Sequence, residues 1–255
     1  NNEFTIGDAE SLLSTDPSAS QGAASMSADG SRIYFTQWKA VNGKNTAVVF
    51  YATKDGNGWT TPVALSSVNR DGYSSKQPYV STDGKYLFFA SDRPGGAGGF
   101  DIWYAPLQAD GSTGEAVNTG TMINTAGDEQ APFYHSYTST LVFSSNGKQG
   151  MGGFDLFTAK GWETAWNTVE NMGHPVNSIR DDVYYYTNDK TSVLKNALFS
   201  SDRGAECCLE TYTVSKAPKK KIITGLVIDK KDNQPVANAT VLVNAGGKQQ
   251  KVTTD

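Results

Sequence analysis

Pairs of hydrophobic residues recur along the chain at intervals of 54 to 56 residues. Each pair lies in a short run with extended character, and small or polar residues and a turn follow it. The pairs are Tyr34-Phe35, Phe88-Phe89, Val142-Phe143 and Leu198-Phe199. Asp-Gly precedes the first two pairs, and Asp-Gly between two extended runs is a hairpin signal. The pattern therefore predicts an antiparallel β unit that is repeated four times.

A second apolar run follows each turn, and its acidic position repeats as well. Residues 98–105 read GGFDIWYA and residues 152–159 read GGFDLFTA. The acidic position is Val48, Asp101, Asp155 and Glu210 in the four copies. In three copies a spacer then leads to an outer run that ends in Asn69, Asn124 or Asn177. Each unit is thus predicted to contain four short strands, with the glycines permitting a tight turn and the aromatic residues packing unit against unit.

Four-stranded units of this kind cannot bury both faces alone, but units packed in a ring can. This predicts an all-β fold, a β-propeller of four-stranded blades over residues 1–216. A solenoid is the competing arrangement, although its repeats are usually shorter. The fourth unit ends at Val214 without an outer strand. Residues 1–16 precede the first hairpin, at the position where an outer strand would precede it. We expect that N-terminal strand to complete the last blade, which gives four blades; five remain open if repeats precede the sequence.

The pattern changes after residue 216. Residues 217–221 (APKKK) are predicted to be a basic linker that contains proline. Residues 222–255 read as three strands with two turns, which are too few for an independent sandwich. We expect this segment to be the start of a truncated β-sandwich domain.

Charge and composition exclude several classes of function. The net charge of −4 gives no basic face for nucleic acid, and no apolar run approaches the length of a membrane span. No signal peptide is visible, and the start at Asn1 suggests an internal or processed fragment. The adjacent Cys207 and Cys208 leave open two strand thiols, a strained vicinal disulfide or, with less support, a metal site.

The sequence offers little for catalysis, and we expect neither an enzyme nor a cofactor or metal. It contains two histidines, His135 and His174, which we expect at the surface or in turns. It lacks a nucleophile elbow, a phosphate loop and a zinc-binding spacing. Residues 53–59 (TKDGNGW) approach the Asp-box turn of sialidases, but Asn57 stands where glycine is expected. The same turn could be a calcium loop, although a plain hairpin turn is the simpler interpretation.

The repeated charged residues are interpreted as structural positions rather than as paired catalytic carboxylates. Equivalent positions in different blades suggest that Asp101, Asp155 and Glu210 make a repeated hydrogen bond. In the Ser-Asp-Arg turns, we expect the aspartate to cap its own turn and the arginine to pair with a carboxylate of a neighbouring blade. These turn residues are Asp92, Arg93, Asp202 and Arg203.

One turn departs from the others and is the candidate partner-binding excursion. In the first repeat the turn is replaced by the longer stretch WKAVNGKN, residues 38–45. Its candidate contact residues are Trp38, Lys39, Asn42 and Lys44.

The motifs also carry a family resemblance. Residues 78–105 resemble the WD40-like propeller repeat of the TolB type. Residues 123–133 (INTAGDEQAPF) and 200–212 (SSDRGAECCLETY) resemble the version in OmpA-family proteins of Bacteroidetes. Residues 223–243 are similar to the carboxypeptidase regulatory-like domain. In that layout a helical TPR region precedes the propeller, and a peptidoglycan-binding OmpA-like domain follows the sandwich.

The resemblance implies a periplasmic component of the type IX secretion system that is associated with the outer membrane. Its partners would be proteins of a secretion or envelope complex. Peptidoglycan would be bound only through the OmpA-like domain, which this sequence lacks, so no binding residue carries over. The expected function is a non-enzymatic scaffold. The alternatives are a glycan- or peptide-binding propeller that uses its central face and, with less support, a sialidase-like hydrolase.

Overall fold

Four antiparallel sheets in the computed structural model correspond to the four sequence repeats. The model describes residues 19–41, 43–56, 58–204, 208–214, 224–245 and 248–255. The chain divides into two compact units, Asn1–Lys216 and Ala217–Asp255. The first unit is a four-bladed β-propeller, so the predicted all-β fold and blade number are confirmed.

Each blade runs outward from the centre in sequence order, and neighbouring strands are antiparallel. Blade 1 consists of β1 Ser20–Met26, β2 Arg32–Val41, β3 Lys44–Asp55, β4 Gly58–Trp59 and β5 Val63–Ala64. Blade 2 consists of β6 Ser75–Val80, β7 Tyr86–Ser91, β8 Asp101–Pro106 and β9 Val117–Asn118. Blade 3 consists of β10 Glu129–His135, β11 Thr140–Ser145, β12 Asp155–Trp162 and β13 Ala165–Asn171, with a short 3₁₀ helix at Ser136–Thr138.

Blade 4 consists of β14 Asp182–Thr187, β15 Ala197–Ser201 and β16 Glu210–Val214. The closing strand that we predicted in residues 1–16 lies outside the described residues.

The hydrophobic pairs explain why the blades stack. Successive side chains of a strand point to opposite faces of its sheet. Because a blade is covered by a neighbouring blade on each face, its strands need apolar residues on both faces. Phe88 packs with the core residues of blade 3, whereas the adjacent Phe89 packs with those of blade 1. Val142 and Phe143 divide in the same way between the interfaces with blades 4 and 2. The core therefore lies between blades rather than within them.

An asparagine at the end of each outer segment holds the third strand from the side. Asn124 Oδ1 accepts a hydrogen bond from Ile102 N at 2.8 Å, and Asn124 Nδ2 donates to Ile102 O at 3.1 Å. Asn69 makes the same pair of bonds with Val49, and Asn177 makes it with Leu156. The amide thus imitates one residue of a neighbouring strand where the outer strand is short.

Replacing this asparagine should destabilise the propeller. Asn124→Ala would leave the buried N–H of Ile102 without its partner, at about 2 kcal/mol of unfolding free energy, whereas the carbonyl oxygen of Ile102 would keep its bonds from Thr119. Chemical denaturation followed by tryptophan fluorescence measures this, because all five tryptophans lie before residue 217. An unfolding free energy equal to that of the wild type would contradict the role assigned to the amide.

The second unit contains a β-hairpin formed by β17 Thr240–Ala245 and β18 Lys248–Thr253. These are two of the three predicted strands. The first of the three appears among the described residues only as a bridge between Ile228 and Pro235. The assignment of this unit to a β-sandwich stays a prediction.

Candidate functional site

The first strands of the four blades surround the centre of the propeller, and each one is bulged at the same place. Pairing with the second strand shifts register within β1, β6, β10 and β14. The bulges carry residues with positive φ: Ala23 (41°), Gln77 (56°), Ala131 (51°) and Tyr184 (56°). A left-handed backbone conformation is unfavourable for residues other than glycine. Bulges change the direction of side chains and are common near functional sites. All four side chains line the central channel.

Gln77 crosses the centre and joins three other blades. Its backbone N–H donates to Thr36 Oγ1 of blade 1 at 2.8 Å. Its Oε1 accepts a hydrogen bond from Ala131 N of blade 3 at 2.9 Å, and its Nε2 donates to Tyr184 Oη of blade 4 at 2.9 Å. Gln77 is buried and lines the cavities on both sides, so it divides the channel into two.

The larger cavity, which we call the tyrosine cavity, has a volume of about 560 Å³. Aromatic and proline side chains dominate its wall. They are Tyr79, Tyr137, Tyr184, Tyr185, Tyr186, Pro78 and Pro132. Tyr137 is 55% exposed and Tyr186 is 50% exposed. Ligand sites in proteins are commonly apolar clefts of this size with a few polar groups, and exposed aromatic clusters mark binding surfaces.

The smaller cavity has a volume of about 400 Å³ and lies on the other side of Gln77. Trp38 and Lys76 line it. Lys76 Nζ donates to Gln130 Oε1 at 3.0 Å and stands 3.8 Å from the centroid of the Phe100 ring. Burial lowers the pKa of Lys76 from its usual value. This cavity therefore combines one partly buried ammonium group with aromatic surface.

The stretch that we predicted as a divergent loop is instead an extended β-hairpin. β2 and β3 continue their pairing as far as Val41 and Lys44. Trp38 is half-buried in this hairpin, whereas Lys39 and Lys44 are exposed. Lys39 Nζ lies 5.1 Å from the Phe50 ring centroid. Asn42 lies outside the described residues. The predicted contact residues thus combine one wall of the smaller cavity with the exposed tip of the hairpin.

The repeated acidic residues serve the turn before their strand in two of three copies. Asp101 Oδ2 accepts a hydrogen bond from Ala97 N at 2.6 Å. Asp155 Oδ2 accepts bonds from the backbone N–H groups of Met151 and Gly152. Burial raises the pKa of the Asp101 carboxyl group. In the fourth copy, Glu210 Oε2 accepts from the Tyr212 hydroxyl at 3.0 Å. Residues 205–207 of the turn before its strand lie outside the described residues, so the equivalence of Glu210 stays a prediction.

The aspartates of the Ser-Asp-Arg turns do not cap their own turns, which corrects our expectation. Asp92 Oδ1 accepts from Ser74 N at 2.6 Å, and Asp202 Oδ1 accepts from Asp181 N at 3.0 Å. Both donors lie just before the first strand of the same blade. The side chain therefore reaches across its own sheet to the segment that enters from the preceding blade, because that segment has backbone N–H groups without strand partners.

The arginines of these turns donate hydrogen bonds to the segment that enters from the preceding blade. Arg93 donates to the carbonyl oxygens of Ser67 and Val68, and Arg203 donates to those of Pro175 and Val176. Arg203 also forms an ion pair with the buried Asp182.

The predicted pairing with a neighbouring blade's carboxylate is wrong for both arginines. Asp182 belongs to the same blade as Arg203. Within the part of the chain that the structure describes, Arg93 has no carboxylate at ion-pair distance; Ser75 occupies that position.

The two histidines differ. His174 is exposed in a loop, as expected. His135 lies at the end of β10 where the 3₁₀ turn begins, but it is only 1% exposed, so of the two predicted positions the turn is right and the surface is wrong. Its Nε2 lies 2.7 Å from the carbonyl oxygen of Asp189 in blade 4, so Nε2 carries the proton and donates it. Its Nδ1 lies 2.7 Å from Thr138 Oγ1. Both ring nitrogens are thus engaged in structural hydrogen bonds.

The described residues contain no group of three or more His, Cys, Asp or Glu side chains that could hold a metal ion. No helix among them is long and apolar enough to cross a membrane. Sequence reasoning missed the bulge residues and the tyrosine run of β14. The signal was present, because Ala23, Gln77, Ala131 and Tyr184 lie 54, 54 and 53 residues apart, close to the interval of the hydrophobic pairs.

The fold and the channel define a β-propeller protein. No family model matches the sequence, and no curated protein matches it. Solved structures with similar folds include a puromycin-hydrolyzing peptidase of Mycobacterium tuberculosis (11% identity, 72% of this chain, 28% of that chain, TM-score 0.45). TolB of Acinetobacter baumannii is 15% identical over 76% of this chain and 43% of that chain, with a TM-score of 0.42.

The periplasmic gluconolactonase PpgL of Pseudomonas aeruginosa is 13% identical over 91% of this chain and 73% of that chain, with a TM-score of 0.44. The chain spans less than a third of the peptidase and less than half of TolB. At these identities the likeness concerns the fold alone, and no activity of these proteins is transferred to this chain.

Proposed function

We propose that this protein is a non-enzymatic interaction module, a rigid propeller that binds protein partners in the periplasm. One observation carries the proposal. The repeated carboxylates and the buried histidine are bonded to the backbone of the fold, whereas the exposed side chains at the channel include several tyrosine rings. Groups held in this way are poorly placed for acid–base work, and exposed aromatic side chains suit protein recognition.

The motif resemblance supplies the setting of the proposal. The repeat motifs and the order of the two domains are similar to those of PorE, a component of the type IX secretion system. In that setting the module would help to couple an outer-membrane secretion machine to the cell wall. Peptidoglycan would be held by an OmpA-like domain, and the propeller would hold protein partners.

Cross-linking in the native envelope tests this proposal. The full-length protein is cross-linked in intact cells, and its partners are identified by mass spectrometry. We expect envelope proteins linked to the propeller, and no turnover of glycosidase or peptidase substrates by the purified protein. Specific turnover of such a substrate, abolished by substitutions in the channel, would overturn the scaffold function.

The hairpin of blade 1 is the first surface to test for partner binding. Trp38→Ala should reduce the yield of a propeller–partner cross-link at least fivefold, because it removes the aromatic wall between the smaller cavity and the exposed tip. Trp59→Ala is the matched control, since Trp59 is also half-buried in blade 1 but does not line either cavity. If Trp38→Ala leaves every partner interaction intact, the hairpin is not the binding surface.

A second candidate function is a ligand-binding propeller that uses its central face. The tyrosine cavity favours it, because several exposed aromatic rings meet there in a concave surface. This candidate is compatible with the scaffold function when the ligand belongs to a partner protein.

A further inference from the structure

We propose that the tyrosine cavity binds an extended, proline-rich peptide segment of a partner protein. The inference rests on the proposed interaction function and names a site and a ligand chemistry for it. It depends on four features: the rigidity of the aromatic wall, the hydroxyl groups on it, the few charges around it and the small number of amide and carboxylate groups available for sugar recognition.

A buried ring holds the aromatic wall in place. Phe133 is fully buried, and its ring centroid lies 4.9 Å from that of Tyr79 and 5.8 Å from that of Tyr186. His135, whose ring nitrogens are both bonded, lies 5.5 Å from the ring of Tyr137. A wall that is already ordered loses little conformational entropy when a ligand binds. The rings therefore form a preorganised surface rather than a set of mobile side chains.

The wall presents hydroxyl groups as well as ring faces. Tyr137 and Tyr186 are about half exposed, and neither hydroxyl has a hydrogen-bond partner among the described residues. A polyproline II segment has no internal hydrogen bonds, so its carbonyl oxygens are available to such donors. Its proline rings pack against aromatic faces, which is how aromatic-lined grooves recognise proline-rich segments. Tyrosine supplies both contacts from one side chain.

The charged groups at the cavity are few and already engaged. Asp189 Oδ2 forms an ion pair with Lys195 at 2.8 Å, and its Oδ1 accepts bonds from Thr191 and Ser192. Lys190 Nζ lies 5.6 Å from the Tyr137 ring centroid. A strongly charged ligand would meet little complementary charge here. A largely uncharged peptide segment fits this environment.

A glycan fits less well. Sugar hydroxyls are held by amide and carboxylate groups that are available to bond in pairs. Two of the three such residues that line the cavity, Gln77 and Asp189, have internal partners, and the third, Asn188, is exposed. Gln77 is bonded to Ala131 and Tyr184, and the Asp189 carboxylate is bonded within its own loop.

The cavity of about 560 Å³ lies within the range of ligand sites, and at about 3.1 Å per residue a polyproline II turn of three residues spans roughly 9 Å.

The experiment uses the purified chain and a labelled decaproline peptide as the probe. Fluorescence anisotropy should show saturable binding of decaproline and none of a labelled Gly-Ser peptide of equal length. Tyr137→Ala and Tyr186→Ala should each weaken binding at least tenfold, because each removes an exposed ring of the wall. The matched control is Tyr73→Ala, an exposed tyrosine of the propeller that lines neither cavity. Unfolding midpoints that equal the wild-type value show that these variants are folded.

Two outcomes overturn the inference. The first is an absence of decaproline binding at protein concentrations up to the millimolar range. The second is binding that Tyr137→Ala and Tyr186→Ala do not weaken. The protein is then titrated with an N-acetylglucosamine hexamer. Sugar binding without peptide binding would mean that the cavity binds a glycan rather than a peptide. Partners that cross-link equally to the wild type and to both variants would retain the scaffold function while rejecting this site.

Discussion

Arg203→Ala should be among the most destabilising single substitutions in this protein, with a loss of about 3–5 kcal/mol of unfolding free energy. Asp182 is 0% exposed, and Arg203 is its ion-pair partner. Removal of the guanidinium group leaves a buried carboxylate that, among the described residues, keeps hydrogen bonds from Ser178 only. It also removes the donors to the carbonyl oxygens of Pro175 and Val176. Chemical denaturation followed by tryptophan fluorescence measures the loss.

The same fold contains the matched control, because blade 2 has the arginine without the buried carboxylate. Arg93 donates to the carbonyl oxygen of Val68 and to Ser75 Oγ, which occupies the place of Asp182. Arg93→Ala should therefore cost only about 1–2 kcal/mol, since hydrogen bonds to neutral groups are lost. Asp182→Ser reproduces the blade 2 arrangement in blade 4 and should be milder than Arg203→Ala. Equal losses for Arg203→Ala and Arg93→Ala would show that the ion pair is unimportant.

Gly152→Ala should destabilise the propeller by about 3 kcal/mol, because an added methyl group would clash with neighbouring backbone atoms. It would overlap the carbonyl oxygen of Arg180 and approach that of Ser178 to 2.8 Å. Both atoms belong to the backbone that leads into blade 4, so they cannot move as a flexible side chain can. Gly98 stands in the same relation to the backbone of Ala126 at the entrance to blade 3. Gly98→Ala should thus lower the unfolding free energy by a similar amount.

Gly22→Ala is the control for both glycine substitutions. Gly22 lies in β1, and an added methyl group there meets no atom within 4 Å. Its unfolding free energy should stay within about 0.5 kcal/mol of the wild type. If Gly152→Ala is as stable as Gly22→Ala, close approach between the blades is not what the repeated glycines provide.

The repeated GGFD motif is therefore a blade-joining device. The backbone N–H of Phe100 donates to Asp128 Oδ1 at 2.8 Å, and that of Phe154 donates to Asp181 Oδ1 at 2.9 Å. Each acceptor lies in the segment that enters the next blade. The glycine before each phenylalanine lets that carboxylate approach, since an added methyl group would overlap it. Our sequence interpretation, in which these glycines permit a tight turn, described only part of their role.

Particular residues show how far the sequence could be interpreted alone. The doublet Phe88-Phe89 requires apolar surroundings on both faces of its strand, and its recurrence predicted stacked blades. Asn124 could be recognised as the residue that ends the outer segment of each repeat. Its bonds to Ile102 could not, because they depend on the path of that segment in the folded blade. Gln77 could be recognised as a repeated position, but its role could not, because its left-handed backbone and its bonds to three blades exist only when the ring closes.

The sequence by itself determined the all-β class, the number of repeats and the order of strands within each blade. It could do so because these depend on local alternation, turn residues and a regular interval. Only the tertiary structure decided the candidate site. The tyrosine cavity brings residues of all four blades to one place, and Tyr79, Tyr137 and Tyr186 are far apart in the chain. Their proximity follows from ring closure, which no local pattern records.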